Sequence, residues 1–175
     1  MTPLELLWNG WRATYVQSGG AVGDVSASDS SVFTRILCSG LADTETHIIH
    51  RGTLVFAIMN RFPYSVGHVL VLPLREIADL EDLTTAEAAE LWATVTTAVG
   101  VLKRVMHPGG INVGINLGEP AGGSVRQHLH VHVVPRWNGD ANFMTATANT
   151  RTLPEALPDT AAKLRAAWPS AASAA

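Results

Sequence analysis

The sequence is poor in cysteine and in charge. Its single cysteine, Cys38, excludes an internal disulfide and any Cys-x-x-Cys metal knuckle. Charged residues make up 15% of the 175, below the roughly 25% usual for soluble domains. Lys plus Arg number 12 against 15 Asp plus Glu, a formal charge of −3. With no basic excess to displace counterions from a phosphate backbone, a nucleic-acid partner is not expected. Apolar runs are short, Val69-Leu-Val-Leu72 being typical, so no membrane-spanning helix and no membrane partner are expected. The opening Met1-Thr-Pro-Leu-Glu-Leu-Leu-Trp8 lacks the basic flank and apolar stretch of a secretory signal, which leaves the cytoplasm as the expected compartment. What is present is 47% hydrophobic residues, enough for one substantial core. The expectation is a single domain over residues 1–175 with its core at about 30–145. Sparse surface charge also fits a subunit interface.

Residues 18–31 are rich in Gly, Ser and Asp and read as a mobile loop, and the Ala/Ser tail 169–175 as frayed. Thr53–Met59 and His68–Leu74 read as buried strands joined by the turn Asn60–Gly67. Thr84-Thr-Ala-Glu87 fits a capping box, and Leu91, Val95, Val99 and Leu102 follow at helical spacing until Pro108-Gly-Gly110. Ile111–Leu117 and residues 128–134 alternate as strands, and Leu157–Trp168 reads as a short helix. The fold class is α+β: an antiparallel meander sheet with one long covering helix and a short C-terminal helix.

The informative segment is Gln127-His-Leu-His-Val-His-Val-Val-Pro-Arg-Trp137. On a strand, His128, His130 and His132 share one face, with imidazoles about 7 Å apart along the chain, while Leu129, Val131 and Val133 face the core. Three readings are open. The row could be surface histidines. It could bind a metal, with His68 or Glu119 as further ligands, although no spacing demands one. Or it could perform nucleophilic catalysis on phosphorus, because a neutral imidazole both attacks and leaves well. Like charges discourage simultaneous protonation, so one ring stays neutral to attack while another carries a proton.

His128-Leu-His-Val-His-Val-Val134, Asn60-Arg-Phe-Pro-Tyr64 with Gly67-His-Val-Leu-Val-Leu-Pro73, Asn112-Val-Gly-Ile-Asn-Leu-Gly118, Ala121-Gly-Gly-Ser-Val125, Pro135–Met144 and Leu7-Trp-Asn-Gly-Trp-Arg12 together resemble the histidine-triad (HIT) superfamily, in its bacterial diadenosine tetraphosphate phosphorylase-like branch. The resemblance covers residues 5–168. It implies a HIT-like α+β fold, usually a homodimer, and a nucleotidyl transferase or hydrolase acting on the α-phosphate of an adenine nucleotide or dinucleoside polyphosphate, with phosphate or water as acceptor. It makes His130 the nucleophile, His132 the group that binds phosphate or protonates the leaving side, and His128 the residue that holds the row in register. Asn60, His68, Asn116, Gly123, Ser124 and Gln127 become substrate-binding residues, with Phe33 and Ile58 as walls for the base. No metal ligand and no tightly bound cofactor is implied; magnesium enters only with the nucleotide. The alternatives are a nucleoside phosphoramidate hydrolase and a nucleotide-sensing binding protein.

Two departures stand out. Where the branch often carries Cys-x-x-Cys followed by a basic residue, this chain has Ser31-Val-Phe-Thr-Arg35, which removes the thiolates of a structural zinc. Gln127 stands where an acidic residue tends to precede the first histidine, so the triad's pKa values are expected to be low. Taken singly, Gly122-Gly123 reads as a hairpin loop, Asn116 as a turn or ladder residue, Asn60 as a turn starter, Trp92 and Trp168 as packing residues, and Cys38 as a small packed residue.

Overall fold

A computed structural model describes residues 30–140 and 154–170. The segment 7–12, most of the 18–31 loop, residues 141–144 and the end of the tail lie outside these residues. Two short helices, α1 (Val32–Leu37) and α2 (Asp43–Thr46), precede strands β1 (Ile48–Arg51), β2 (Val55–Met59) and β3 (Val69–Pro73). The long helix α3 (Thr85–Met106) leads to β4 (Gly110–Ile115) and β5 (Val131–Arg136), and α4 (Leu157–Ala167) closes the described chain. Among the described residues no helix is long and apolar enough to cross a membrane.

All neighbouring strands are antiparallel, in the order β1-β2-β3-β5-β4. The first three form a meander. After α3 the chain re-enters at the sheet edge as β4 and turns back, so β5 sits beside β3 in the middle. β2 and β3 are buried along their whole length because both faces are covered, which is why they read as unbroken apolar runs. Alternation sorts their side chains. Val55, Ala57, Met59, Val69, Val71, Val131 and Val133 pack on Leu91, Val95, Ala98, Val101 and Leu102 of α3 and on Leu164 of α4. Phe56, Ile58, Leu70 and Leu72 form a second cluster on the opposite face with Phe33 of α1 and Ile48.

The start of α3 follows from its capping box. The Thr84 hydroxyl accepts from Glu87 N–H at 3.2 Å, and the Glu87 carboxylate accepts from Thr84 N–H at 2.8 Å. The Arg75 guanidinium grips the same carboxylate at 2.9 and 2.8 Å. That bond, followed by the one from Thr84 N–H, pulls the Glu87 carboxyl down to about 2. Thr84→Ala is expected to cost about 1 kcal/mol, a fall in Tm of about 2–4 °C for a chain of this size, measurable by thermal denaturation.

Several expectations change. β1 lies in a stretch the sequence left unassigned. Ser31 is no part of a mobile loop: it is fully buried and caps α1. Cys38 is exposed, and Trp92 is 48% exposed on α3. Trp168 does pack, stacking on His50 at 5.1 Å. The strand expected over 128–134 begins only at Val131, since residues 128–130 approach it as irregular backbone tied to Ile77 through Leu129 N–H at 2.6 Å.

Candidate active site

β5 carries His132 on the face away from α3, paired with Leu70 on one side and Gly114 on the other. His130 stands just before the strand, and its ring centroid is 4.9 Å from that of His132. Lying off the ladder brings these two rings closer than strand spacing would. His128 turns inward and is fully buried. Phe33 of α1 touches both earlier rings, at 5.6 Å from His128 and 5.6 Å from His130.

Partners fix the protons. His130 Nδ1 lies 2.8 Å from the His128 carbonyl oxygen, which can only accept, so Nδ1 carries the hydrogen and Nε2 keeps its lone pair. The same reasoning places the His128 proton on Nε2, 2.9 Å from the Pro73 carbonyl, with Nδ1 accepting from the Ser31 hydroxyl at 2.8 Å. His68, fully buried ahead of β3, receives Tyr64 N–H on Nδ1 at 3.1 Å. Asn60 adds its amide nitrogen at 3.3 Å, oriented because its oxygen accepts Phe62 N–H at 3.0 Å. The His68 proton therefore sits on Nε2 and is donated to His132 Nδ1 at 3.0 Å. With its Nδ1 accepting, the neutral His132 ring carries its proton on Nε2, 3.4 Å from the amide nitrogen of Asn116; turned about its own axis, the same amide presents its oxygen to that N–H. Tyr64 stacks on His132 at 5.7 Å, and beside it opens a hollow of about 190 Å³ lined by Tyr64, Asn112, Gly114, Asn116, His132 and Arg136.

Burial is the main cause that lowers both His128 and His130 below the ordinary imidazole value of 6.5. At His128 the Pro73 carbonyl and the Glu76 carboxylate oppose this in part; at His130 the His128 carbonyl opposes it and the charge of His128 adds to it. The direction is the one expected from Gln127, yet burial produces it, and a carboxylate does stand nearby in Glu76. Protonation is easier in the unfolded chain. The contribution of these two rings to stability is therefore complete above pH 6.5 and is lost as pH drops from there through the depressed folded values. Melting curves between about pH 8 and 5 should show this slope, and His130→Asn should flatten it.

The remaining expected site residues are placed unevenly. Asn60, His68 and Asn116 join the histidines directly. Ser124 and Gln127 are exposed on the loop before His128. Gly123 is buried, and a side chain there would come within 2.9 Å of the Gly118 carbonyl and 3.0 Å of that of Asn116. Its bareness thus serves the close return of its own loop, while Gly122 is held at φ 96°. Ile58 is buried in the Phe33 cluster. Arg136 is committed to Asp140 and Asn112, and Arg126 to Glu119. Sequence reasoning missed Tyr64, Ser31, Thr34 and Glu76. Among the described residues no three His, Cys, Asp or Glu side chains converge as a metal-binding group.

The profile of the HIT domain matches residues 42–139, more than half of the sequence. The chain belongs to the HIT domain family. Within it, the chain is 46% identical over 167 residues to AP-4-A phosphorylase of Mycobacterium tuberculosis (strain ATCC 25618 / H37Rv), covering 94% of this chain and 85% of that one. It is 37% identical over 95 residues to the asymmetrical bis(5'-nucleosyl)-tetraphosphatase of Schizosaccharomyces pombe, covering 54% and 52%. A zinc-bound histidine triad family protein from Mycobacterium smegmatis superposes with a TM-score of 0.65 at 29% identity, over 81% of this chain and 95% of that one. The HIT family's namesake histidines are the row of β5 and its approach.

Proposed function

We propose that this HIT protein is a nucleotidyl-transferring enzyme that acts on dinucleoside polyphosphates through a nucleotidyl-His130 intermediate. The observation that carries the reading is the pair of fixed tautomers: a bare Nε2 on His130 and a proton-bearing Nε2 on His132, with ring centroids 4.9 Å apart. The similarity to AP-4-A phosphorylase supports the substrate class.

In the first step the His130 Nε2 lone pair attacks the α-phosphorus. A P–N bond forms, the bridging P–O bond breaks, and the polyphosphate leaves as an anion while His132 Nε2–H keeps its proton and donates a hydrogen bond to the charge developing on the phosphoryl oxygens. His68 donates to the opposite nitrogen of His132 throughout, which keeps the His132 proton on Nε2. In the second step phosphate attacks the same phosphorus through an unprotonated oxygen, or water attacks and releases its proton to solvent, and the P–N electron pair returns to His130. From diadenosine tetraphosphate, phosphate gives ADP and ATP, and water gives AMP and ATP. Ser124, Gly123 and Gln127 line the approach of the phosphates, and Phe33 and Ile58 the base. Any magnesium arrives with the polyphosphate. The working compartment is the cytoplasm.

The enzyme works as a homodimer joined at β4. This strand is a sheet edge, and Val113 on it and Leu117 just beyond it are 42% and 44% exposed. Sedimentation at twice the chain mass is the expected result; a monomer at micromolar concentration overturns the dimer.

The deciding assay follows diadenosine tetraphosphate with and without added phosphate, beside an adenosine phosphoramidate. ADP appearing only with phosphate identifies a phosphorylase. Cleavage confined to the phosphoramidate, or tight nucleotide binding without turnover, overturns the reading.

A further inference from the structure

Ser31 and Thr34 occupy the two positions where the branch often carries cysteines. Their surroundings do not fit a zinc ion. Each hydroxyl has one proton, and both are spent: the Ser31 proton on His128 Nδ1 at 2.8 Å, the Thr34 proton on the Glu76 carboxylate. The same carboxylate accepts Ser31 N–H on both oxygens, at 3.0 and 2.9 Å, and the Ser31 oxygen accepts Thr34 N–H at 3.0 Å. The only imidazole nitrogen in the cluster is already an acceptor, and neutral hydroxyls are poor zinc ligands beside thiolate or imidazole.

We propose that Ser31, Thr34 and Glu76 form a metal-free clip that docks α1 on the histidine row and holds the His128 carbonyl where it orients His130. The clip joins distant parts of the chain: Ser31 lies 45 residues from Glu76 and 97 from His128. His128 is pinned at both ring nitrogens, by Ser31 and by the Pro73 carbonyl, so residue 128 cannot rotate or slide. Its carbonyl is therefore fixed 2.8 Å from His130 Nδ1. Docking α1 also sets Phe33 against the His128 and His130 rings. Ser31, Thr34 and Glu76 are positioning residues, and their bearing on turnover rests on the nucleotidyl-His130 reading.

The test uses the full chain with Ser31→Ala and, because Ser31 is buried, the near-isosteric Thr34→Val at a half-buried site. Both should lower kcat for diadenosine tetraphosphate about tenfold with KM changed less than about twofold, the loss of one orienting hydrogen bond. In ¹⁵N spectra recorded without substrate, the single Nδ1–H tautomer of His130 should give way to a tautomer mixture. Wild-type protein titrated with zinc should retain none at the clip. Unchanged kcat and spectra in both variants overturn the clip. A fall in kcat with the tautomer intact shows a merely structural role and overturns it too. So does one equivalent of wild-type zinc that Ser31→Ala abolishes. Because the spectra need no turnover, an enzyme inert toward dinucleoside polyphosphates would sink the functional reading and leave the clip to be judged by the tautomer alone.

Discussion

Alanine in place of His130 is expected to lower turnover of diadenosine tetraphosphate by about four orders of magnitude or more, while AMP still binds within a few-fold of wild type. The magnitude follows from removing a nucleophile that no neighbour replaces. His132 lies close, but its cleft-facing nitrogen bears a proton and has no free lone pair, and His128 has both nitrogens engaged deep in the protein. Binding should survive because the proposed reading gives the base and sugar to other residues. Steady-state assays with calorimetry on the same preparation check both halves. Acid-labile, alkali-stable labelling of wild type by an α-labelled substrate, absent in the variant, would identify the P–N bond. Turnover above a hundredth of wild type in His130→Ala would move the nucleophile to another group.

The second large effect belongs to His132. His132→Ala is expected to cost about 10²–10³ in kcat, the usual range for removing one donor aimed at the charge of the transition state. The loss should not depend on the leaving group, because the donor serves the phosphoryl group that is transferred. Diadenosine tetraphosphate and the nitrophenyl ester of AMP, whose leaving groups both depart as anions, should lose the same factor. A loss that grew steeply with a basic alkoxide leaving group would make His132 a proton donor instead. Asn60→Ala should show a weaker form of the same pattern, because it removes one of the two donors that keep the His68 proton on Nε2.

Much of this was legible in the sequence because the relevant signals are local. The capping box at Thr84 and the apolar spacing behind it delimit α3, and the runs around Val55 and Val69 could only be covered strands. The histidines announce themselves by residue type and spacing. What was hidden depends on distant partners. β1 offers only Ile48-Ile-His-Arg51, with no alternation to read, and is a strand because β2 lies beside it. Glu76, Ser31, Thr34 and Tyr64 are ordinary surface residue types, and only the fold brings them to the row. The strand expected from His128 fails at its start because the His128 ring and the Leu129 backbone find other partners, at Pro73 and Ile77, before the ladder begins.

β5 alternates Val131 and Val133 toward α3 with His132 toward the cleft. Slipping that strand by one residue against β3 would put an imidazole into the apolar interior and a valine into the cleft. The same error that removes the chemistry thus also unmakes the protein. A chain folded well enough to last is, by that fact, one whose histidine faces substrate, so the cell's degradation machinery proofreads the catalyst without ever sampling its activity.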